Sequence, residues 1–267
     1  MLKDITLGQY YPADSLVHRA DPRTKILITA VFLIAVFLVK TWIGFLPIVL
    51  FTIFIVGISH VPFISVLKGL KAIAFLIAIT GCFNIFLTDG TVWFKLGPLT
   101  ATYEGLNLAG FMLVRICLLI VITSMLTLTT TPIMLTDGIE TLLKPLKKVK
   151  VPVHEFAMMM TIALRFIPTI MEETDKIMKA QSARGADFES GNLIQRAKAM
   201  IPILVPLFIS AFRRADELAI AMECRCYHGD QNRTKLKQLH FGGIDALAGV
   251  VTIVVLVFQF IIEGMAL

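Results

Sequence analysis

The chain has 267 residues, 57% of them hydrophobic and 16% charged, with a mean hydropathy of +0.81. A soluble domain of this length carries about a quarter charged residues, so the composition excludes a soluble fold and indicates a polytopic membrane protein. The net charge is +6, but residues 130–240 hold 16 of the 25 Lys and Arg interleaved with 12 of the 19 Asp and Glu. That mixture argues against nucleic-acid binding and fits basic segments held on the cytoplasmic side.

Asp4, Asp14, Asp21 and two prolines precede the first apolar run, which argues against a cleavable leader. Asp21-Pro22 reads as a helix start, with Asp as N-cap and Pro at the first helical position. The run Ile26 to Val39 follows, and after a very short turn a second run from Trp42 to Ser59 completes a helical hairpin. His60 to Lys71 is read as a polar connection, Ala72 to Leu87 as a third span, and residues 88–104 as a loop with Asp89-Gly90, Gly97-Pro98 and an interfacial Trp93. Gly105 to about Thr127 is the fourth span; each needs roughly 20 apolar residues, so the shorter runs must include flanking polar residues at the headgroups.

Beyond residue 128 the chain stays helix-forming but becomes amphipathic. One helix opens at Thr131-Pro132 and runs to Lys144-Pro145, before a turn crowded by Lys147, Lys148 and Lys150. A second runs from Val151-Pro152 to Arg184-Gly185, where glycine ends it, and a third from Ser190-Gly191-Asn192 to near Cys226-Tyr227. Pro168, Pro202 and Pro206 are expected to kink them. Asp230 to His240 is a basic linker, and Ile244 to Ile262 is the fifth span, with Glu263-Gly264 outside. Outer loops keep only Lys40 and Lys95, whereas Lys3, Arg19, Arg23, Lys25, Lys68 and Lys71 fall inside with the basic module. The expected organisation is residues 1–127 with four spans, 128–240 as three cytoplasmic helices, and 241–267 as the last span.

The two long amphipathic helices share a design. Each starts with an apolar half (Phe156 to Ile167; Ile201 to Phe208), passes an acidic patch (Glu172, Glu173, Asp175; Asp216, Glu217), and ends on one arginine between small residues. These ends are Ala183-Arg184-Gly185 and Cys224-Arg225-Cys226. A planar guanidinium forms two-pronged bonds with carboxylates or carbonyls, and small neighbours let a helix tip enter a groove. The apolar halves are expected to bury against each other or the bilayer, and Met158, Met159 and Met160 give a surface able to repack around different shapes. Cys224, Cys226, His228 and His240 match no four-ligand zinc spacing. Arg115, midway along the fourth span, is expected to face other helices. No Gly-x-x-x-x-Gly-Lys, Gly-x-Ser-x-Gly or His-Glu-x-x-His occurs.

With His18-Arg19-Ala20-Asp21-Pro22-Arg23-Thr24-Lys25, the membrane helices and the two X-Arg-X ends, the chain resembles the transmembrane coupling subunit of energy-coupling factor (ECF) transporters, the EcfT component, related to the CbiQ-type subunits of cobalt importers. Cys224-Arg225-Cys226 departs from the family's Ala-Arg-Gly pattern at both flanks while keeping them small. The resemblance implies an all-α membrane protein with about five transmembrane helices and three long coupling helices, in a prokaryotic cell membrane. It implies no catalysis and no cofactor. Its implied partners are two ABC-type ATPase subunits (EcfA and EcfA′) gripping Arg184 and Arg225, and a vitamin- or metal-binding membrane S component, possibly several interchangeable ones, contacting Met158 to Met160. The alternative class is a self-contained channel or secondary transporter, which predicts polar groups along several spans; Arg115 and Asn84 are the main ones visible. A membrane-embedded enzyme would need a catalytic cluster, and none is found.

Overall fold

The protein, described here as a computed structural model, is all-α apart from one short β-hairpin. The structure describes residues 10–96, 99–188, 190, 192–229 and 238–266. Gly8-Gln9, Gly97-Pro98, Gly191, most of the Asp230–His240 linker and the side chain of Lys95 lie outside the described residues. In chain order the elements are α1 (Leu16–Arg19), α2 (Pro22–Leu38), α3 (Phe45–Ile58), α4 (Phe63–Leu87), β1 (Val92–Leu96), β2 (Leu99–Thr102), α5 (Tyr103–Thr129), α6 (Pro132–Leu143), a 3-10 turn (Lys144–Val149), α7 (Val153–Ala183), α8 (Leu193–Cys224) and α9 (Gly243–Ala266). Two compact units result. One holds α1 to α6 and α9; the other holds the 3-10 turn, α7 and α8.

In the first unit, hydrogen bonds between helix ends establish how the apolar helices alternate. At one end, which we call the near end, the Tyr11 amide donates to the Leu128 carbonyl (2.9 Å) and the Asp21 amide donates to Asp245 (2.8 Å). The start of α2, the end of α5 and the start of α9 therefore share that side. At the far end the Trp42 indole donates to Asn107 (2.7 Å), and Glu263 accepts from the amides of Lys40 (2.5 Å) and Thr41 (3.1 Å). So α2 and α9 run parallel, with α3, α4 and α5 alternating between them. An odd number of crossings must separate two parallel spans, so α7 and α8 either both cross or neither does. By length and composition α7 and α8, like α5 and α9, each hold a stretch apolar enough to cross a membrane, although that stretch is less apolar in α7 and α8.

The core of this unit is a cluster on three helices: Phe32, Ala35 and Val36 of α2 with Val39 at its C-cap, Phe45 and Ile48 of α3, and Leu118 of α5. Phe32 stacks on Phe51 at 4.5 Å between ring centres. Most other large apolar side chains face outward, for example Phe54, Phe75 and Phe258, as a hydrocarbon solvent allows. Helix α3, with 14 residues, is on the order of 21 Å long, short of the ~30 Å hydrocarbon core. The 40–44 turn extends its reach.

Two expected irregular segments are ordered. The polar connection at 60–71 is mostly helix, because α4 already begins at Phe63 and bends by 57° between Phe63–Lys71 and Ile73–Leu87. The 88–104 loop carries the antiparallel pair β1–β2, tied down where the Thr91 amide donates to Glu104 (2.7 Å).

Polar side chains in this unit act on helix ends. Asp21 caps α2 by accepting from the Arg23 amide (2.8 Å), and the Arg23 guanidinium lies 3.9 Å over the Phe241 ring. The expected cap is therefore present, and a tertiary tie to α9 through Asp245 comes with it. The buried Lys25 ammonium donates to the carbonyls of His18 (3.1 Å) and Thr129 (3.0 Å) and to the Thr130 hydroxyl (3.4 Å). Arg115 donates to the Val39 carbonyl at the end of α2 (2.6 Å), so it faces a neighbouring helix as expected.

Helix α9 turns its polar residues inward: Asp245, Thr252, Gln259 and Glu263 are all buried. Asp245, Thr252 and Gln259 are seven residues apart, which keeps them on one face. Gln259 donates to the Ala35 carbonyl (3.0 Å), so α9 is fastened to the α2 segment once at its start and, one turn apart, twice toward its end. Gly44 has a local reason. A Cβ there would collide with the Glu263 carboxylate. Replacing Glu263 by Ala strands the Lys40 and Thr41 amides and is expected to cost about 2 kcal/mol or more, while Glu263→Gln, which keeps an acceptor, costs less. Thermal melts of the two variants in detergent check the order.

Candidate functional site: two arginine-bearing helix tips

The second unit is built from α7 and α8. Asn192 caps α8 in a reciprocal capping box with Gln195, whose side chain accepts from the Asn192 amide (3.1 Å). Pro168 lies inside α7, and Pro202 and Pro206 lie inside α8, yet both helices run without interruption. A proline removes one helical hydrogen bond and crowds one carbonyl, which a long helix absorbs without ending.

The two helices touch near their middles. Glu173 of α7 accepts from the Ser210 hydroxyl and from the Arg214 guanidinium (3.1 Å), and Arg214 also lies 5.6 Å from the centre of the Phe166 ring. Ile162, Ile170, Leu207 and Leu218 line the same contact. Glu173, read from sequence as part of an acidic patch, is thus the polar centre of the helix pair. Glu173 is eleven residues before Arg184, and Arg214 is eleven residues before Arg225. About 16 Å of helix axis therefore separates the contact from each tip.

Both tips fold the same way. In α7 the last helical residue is Ala183, Arg184 is the C-cap, and Gly185 takes a left-handed conformation with φ +88°. The Gly185 amide donates to the Ser182 carbonyl and the Ala186 amide reaches back to the Gln181 carbonyl, each at 3.0 Å. In α8 the last helical residue is Cys224, Arg225 is the C-cap, and Cys226 is left-handed with φ +56°. The Cys226 amide donates to Glu223 (2.8 Å) and the Tyr227 amide to Met222 (3.1 Å). This crossed pair of bonds is the Schellman closure, which satisfies the last carbonyls of a helix.

The closure accounts for X-Arg-X position by position. The first flank is the final helical residue, the arginine is the cap, and the second flank must be left-handed. Glycine does this without strain; cysteine does it at about 1–2 kcal/mol. Sequence analysis explained the small flanks by access to a groove alone, and the backbone adds a second reason. All six residues, Ala183, Arg184, Gly185, Cys224, Arg225 and Cys226, are exposed. Among the described residues, neither guanidinium has a side-chain hydrogen bond or an ion pair. A cation at this position also interacts favourably with the helix dipole.

Met159 and Met160 are 56% and 44% exposed and neighbour the 65%-exposed Phe156, while Met158 is half-buried. Of the two partners expected for the apolar half of α8, the other long helix or the bilayer, α7 does not cover Ile201, Leu204, Val205, Phe208, Ile209 and Phe212, which are exposed within the chain. Their spacing places them in one stripe along the helix. The contact with α7 uses a different face of α8.

Gly185→Ala introduces no clash, since nothing lies within 4 Å of the added Cβ, so its cost is purely conformational. It is expected to destabilise the α7 tip by about 1 kcal/mol, and Cys226→Gly to stabilise the α8 tip by up to about 1 kcal/mol. Hydrogen exchange at the Ala186 and Tyr227 amides reads the two effects separately.

Residues 13–236 match the family model described as CbiQ, cobalt transport protein. The chain is 58% identical over 263 residues to the energy-coupling factor transporter transmembrane protein EcfT of Ruminiclostridium cellulolyticum, covering 98% of each chain. It is 57% identical over 256 residues to the protein of the same name from Clostridium kluyveri, covering 95% of each. With that of Bacillus subtilis it shares 50% over 265 residues, covering 99% of this chain and all of the relative. Full-length matches of this strength, on a helical membrane protein ending two helices in arginine, place the chain in the CbiQ family, among the EcfT transmembrane components of energy-coupling factor transporters.

Proposed function

We propose that this subunit performs no chemistry and transmits motion. Arg184 and Arg225 each seat in a groove on one of two ABC-type ATPase subunits, EcfA and EcfA′. The observation that carries this reading is the repeated geometry. Two helices of unrelated sequence end in the same closure, each with an exposed arginine at the cap. The flanks, Ala183 and Gly185 in one tip and Cys224 and Cys226 in the other, are small enough to enter a groove. Glu173 and Arg214 join the helices at equal distances from the tips, so a shift of either ATPase is passed to its neighbour through a charged, part-buried contact.

The other half of the proposal concerns the apolar surfaces. Met158, Met159 and Met160 with Phe156, and the α8 stripe from Ile201 to Phe212, form the contact for a substrate-binding S component. Thioether side chains adapt to differing shapes, which suits several interchangeable S components for vitamins or transition-metal ions. The basic residues of α7 and α8 support a cytoplasmic position for this unit and for the N-terminus at a prokaryotic cell membrane. A self-contained channel or secondary transporter would use polar groups along a path. Here Arg115, Gln259 and Glu263 bond to backbone at helix ends or on α2, and Asn84 bonds within its own helix, which favours the coupling role.

Arg184→Glu or Arg225→Glu is expected to abolish transport, and the double variant to release both ATPases from the membrane subunit; undiminished co-purification of the ATPases with the double variant refutes docking at the tips. Bulky polar substitutions at Met159 and Met160 are expected to weaken S-component association at least tenfold while ATPase binding stays intact. Separate pull-downs of the two partner classes decide whether the surfaces are distinct.

A further inference from the structure

A groove in the membrane unit is used by neither the tips nor the apolar stripe. It runs along α4 beside α5 and is lined by Ala74, Ala78, Gly81 and Cys82 of α4 and Leu113 and Cys117 of α5. Two cations, Lys68 and Lys71, line its near end. Three residues apart on a helix, they project from one face. Both are exposed, and neither has an ion pair among the described residues. No acidic residue lines the groove. Gly69 lies against Ser124, about one and a half turns before the end of α5, which sets the lysines at headgroup depth on the near side. The 57° bend carries the first two turns of α4 out of line, with Phe63, Ile64 and Leu67 exposed, the arrangement of a segment lying in the interface. From Lys71 to Phe86 the groove follows α4 for about 22 Å, more than the ~15 Å depth of one leaflet's hydrocarbon.

We propose that this groove is a binding site for one anionic phospholipid of the near-side leaflet, with its phosphate on Lys68 and Lys71 and an acyl chain laid along Ala74, Ala78 and Cys82. The charge pattern selects this occupant. Two unpaired cations at the headgroup end of an otherwise apolar channel complement a molecule that is anionic at one end and hydrocarbon along the rest. A partner's transmembrane helix would use the apolar wall but has no intrinsic need for the lysines.

The test is native mass spectrometry of the full chain released from nanodiscs of equal parts phosphatidylglycerol and phosphatidylcholine, with Lys68→Gln/Lys71→Gln compared to a control, Lys144→Gln/Lys148→Gln. The original chain is expected to retain phosphatidylglycerol over phosphatidylcholine, with occupancy falling about tenfold or more in the 68/71 variant and unchanged in the control. Ala78→Trp, which fills the channel and leaves the lysines, is expected to lower occupancy as well. Equal retention of the two lipids overturns the proposal, as does phosphatidylglycerol occupancy indifferent to the 68/71 change. If the 68/71 variant keeps its lipid but loses a co-purifying membrane protein, the occupant is a protein helix and the proposal fails.

Discussion

Helix ends govern this molecule. Every α-helix leaves its first amides and last carbonyls without internal partners, and next to hydrocarbon those groups cannot turn to water. The protein meets this constraint in two ways. In the membrane unit, side chains from distant helices satisfy the ends: Lys25 on Thr129, Arg115 on Val39, Glu263 on Lys40 and Thr41, Asp245 on Asp21. In the unit of α7 and α8, the backbone satisfies the C-terminal ends itself by turning left-handed at Gly185 and Cys226.

The difference has a mechanical consequence. Ends satisfied by neighbouring helices fasten those helices together, so α2, α5 and α9 are tied into one frame. Ends satisfied locally leave their cap side chains unused. Arg184 and Arg225 are exposed because the carbonyls they would otherwise serve are already bonded by the amides of residues 185, 186, 226 and 227. One backbone device both closes the helix and leaves its guanidinium exposed.

Much of this was legible in the order of residues. The all-helical membrane class, the apolar runs, the Asp21-Pro22 helix start and the two arginine ends follow from hydropathy, proline and glycine placement, because each is a local property. The beginning of α4 was misread, since Lys68 and Lys71 look like a loop when an interfacial helix is the alternative. Gln259 is inconspicuous among the apolar residues of α9, and Glu263 reads as lying outside, beyond the span, although it is buried within α9; the seven-residue spacing of Asp245, Thr252 and Gln259 is the signal that this helix has a polar side. In sequence Glu173 is indistinguishable from Glu172 and Asp175, the other members of the acidic patch.

Composition and periodicity by themselves determined that the chain spans a bilayer and ends two long helices in Arg184 and Arg225, since burial preference and helix propensity act within a few residues. Which polar groups meet across long separations was decided only by the tertiary structure. Nothing near Glu263 in the chain points to Lys40, and nothing near Glu173 points to Arg214. Those pairings depend on helix direction and rotation, which are set when the apolar faces of α2, α3 and α5 close on one another and those of α7 and α8 meet.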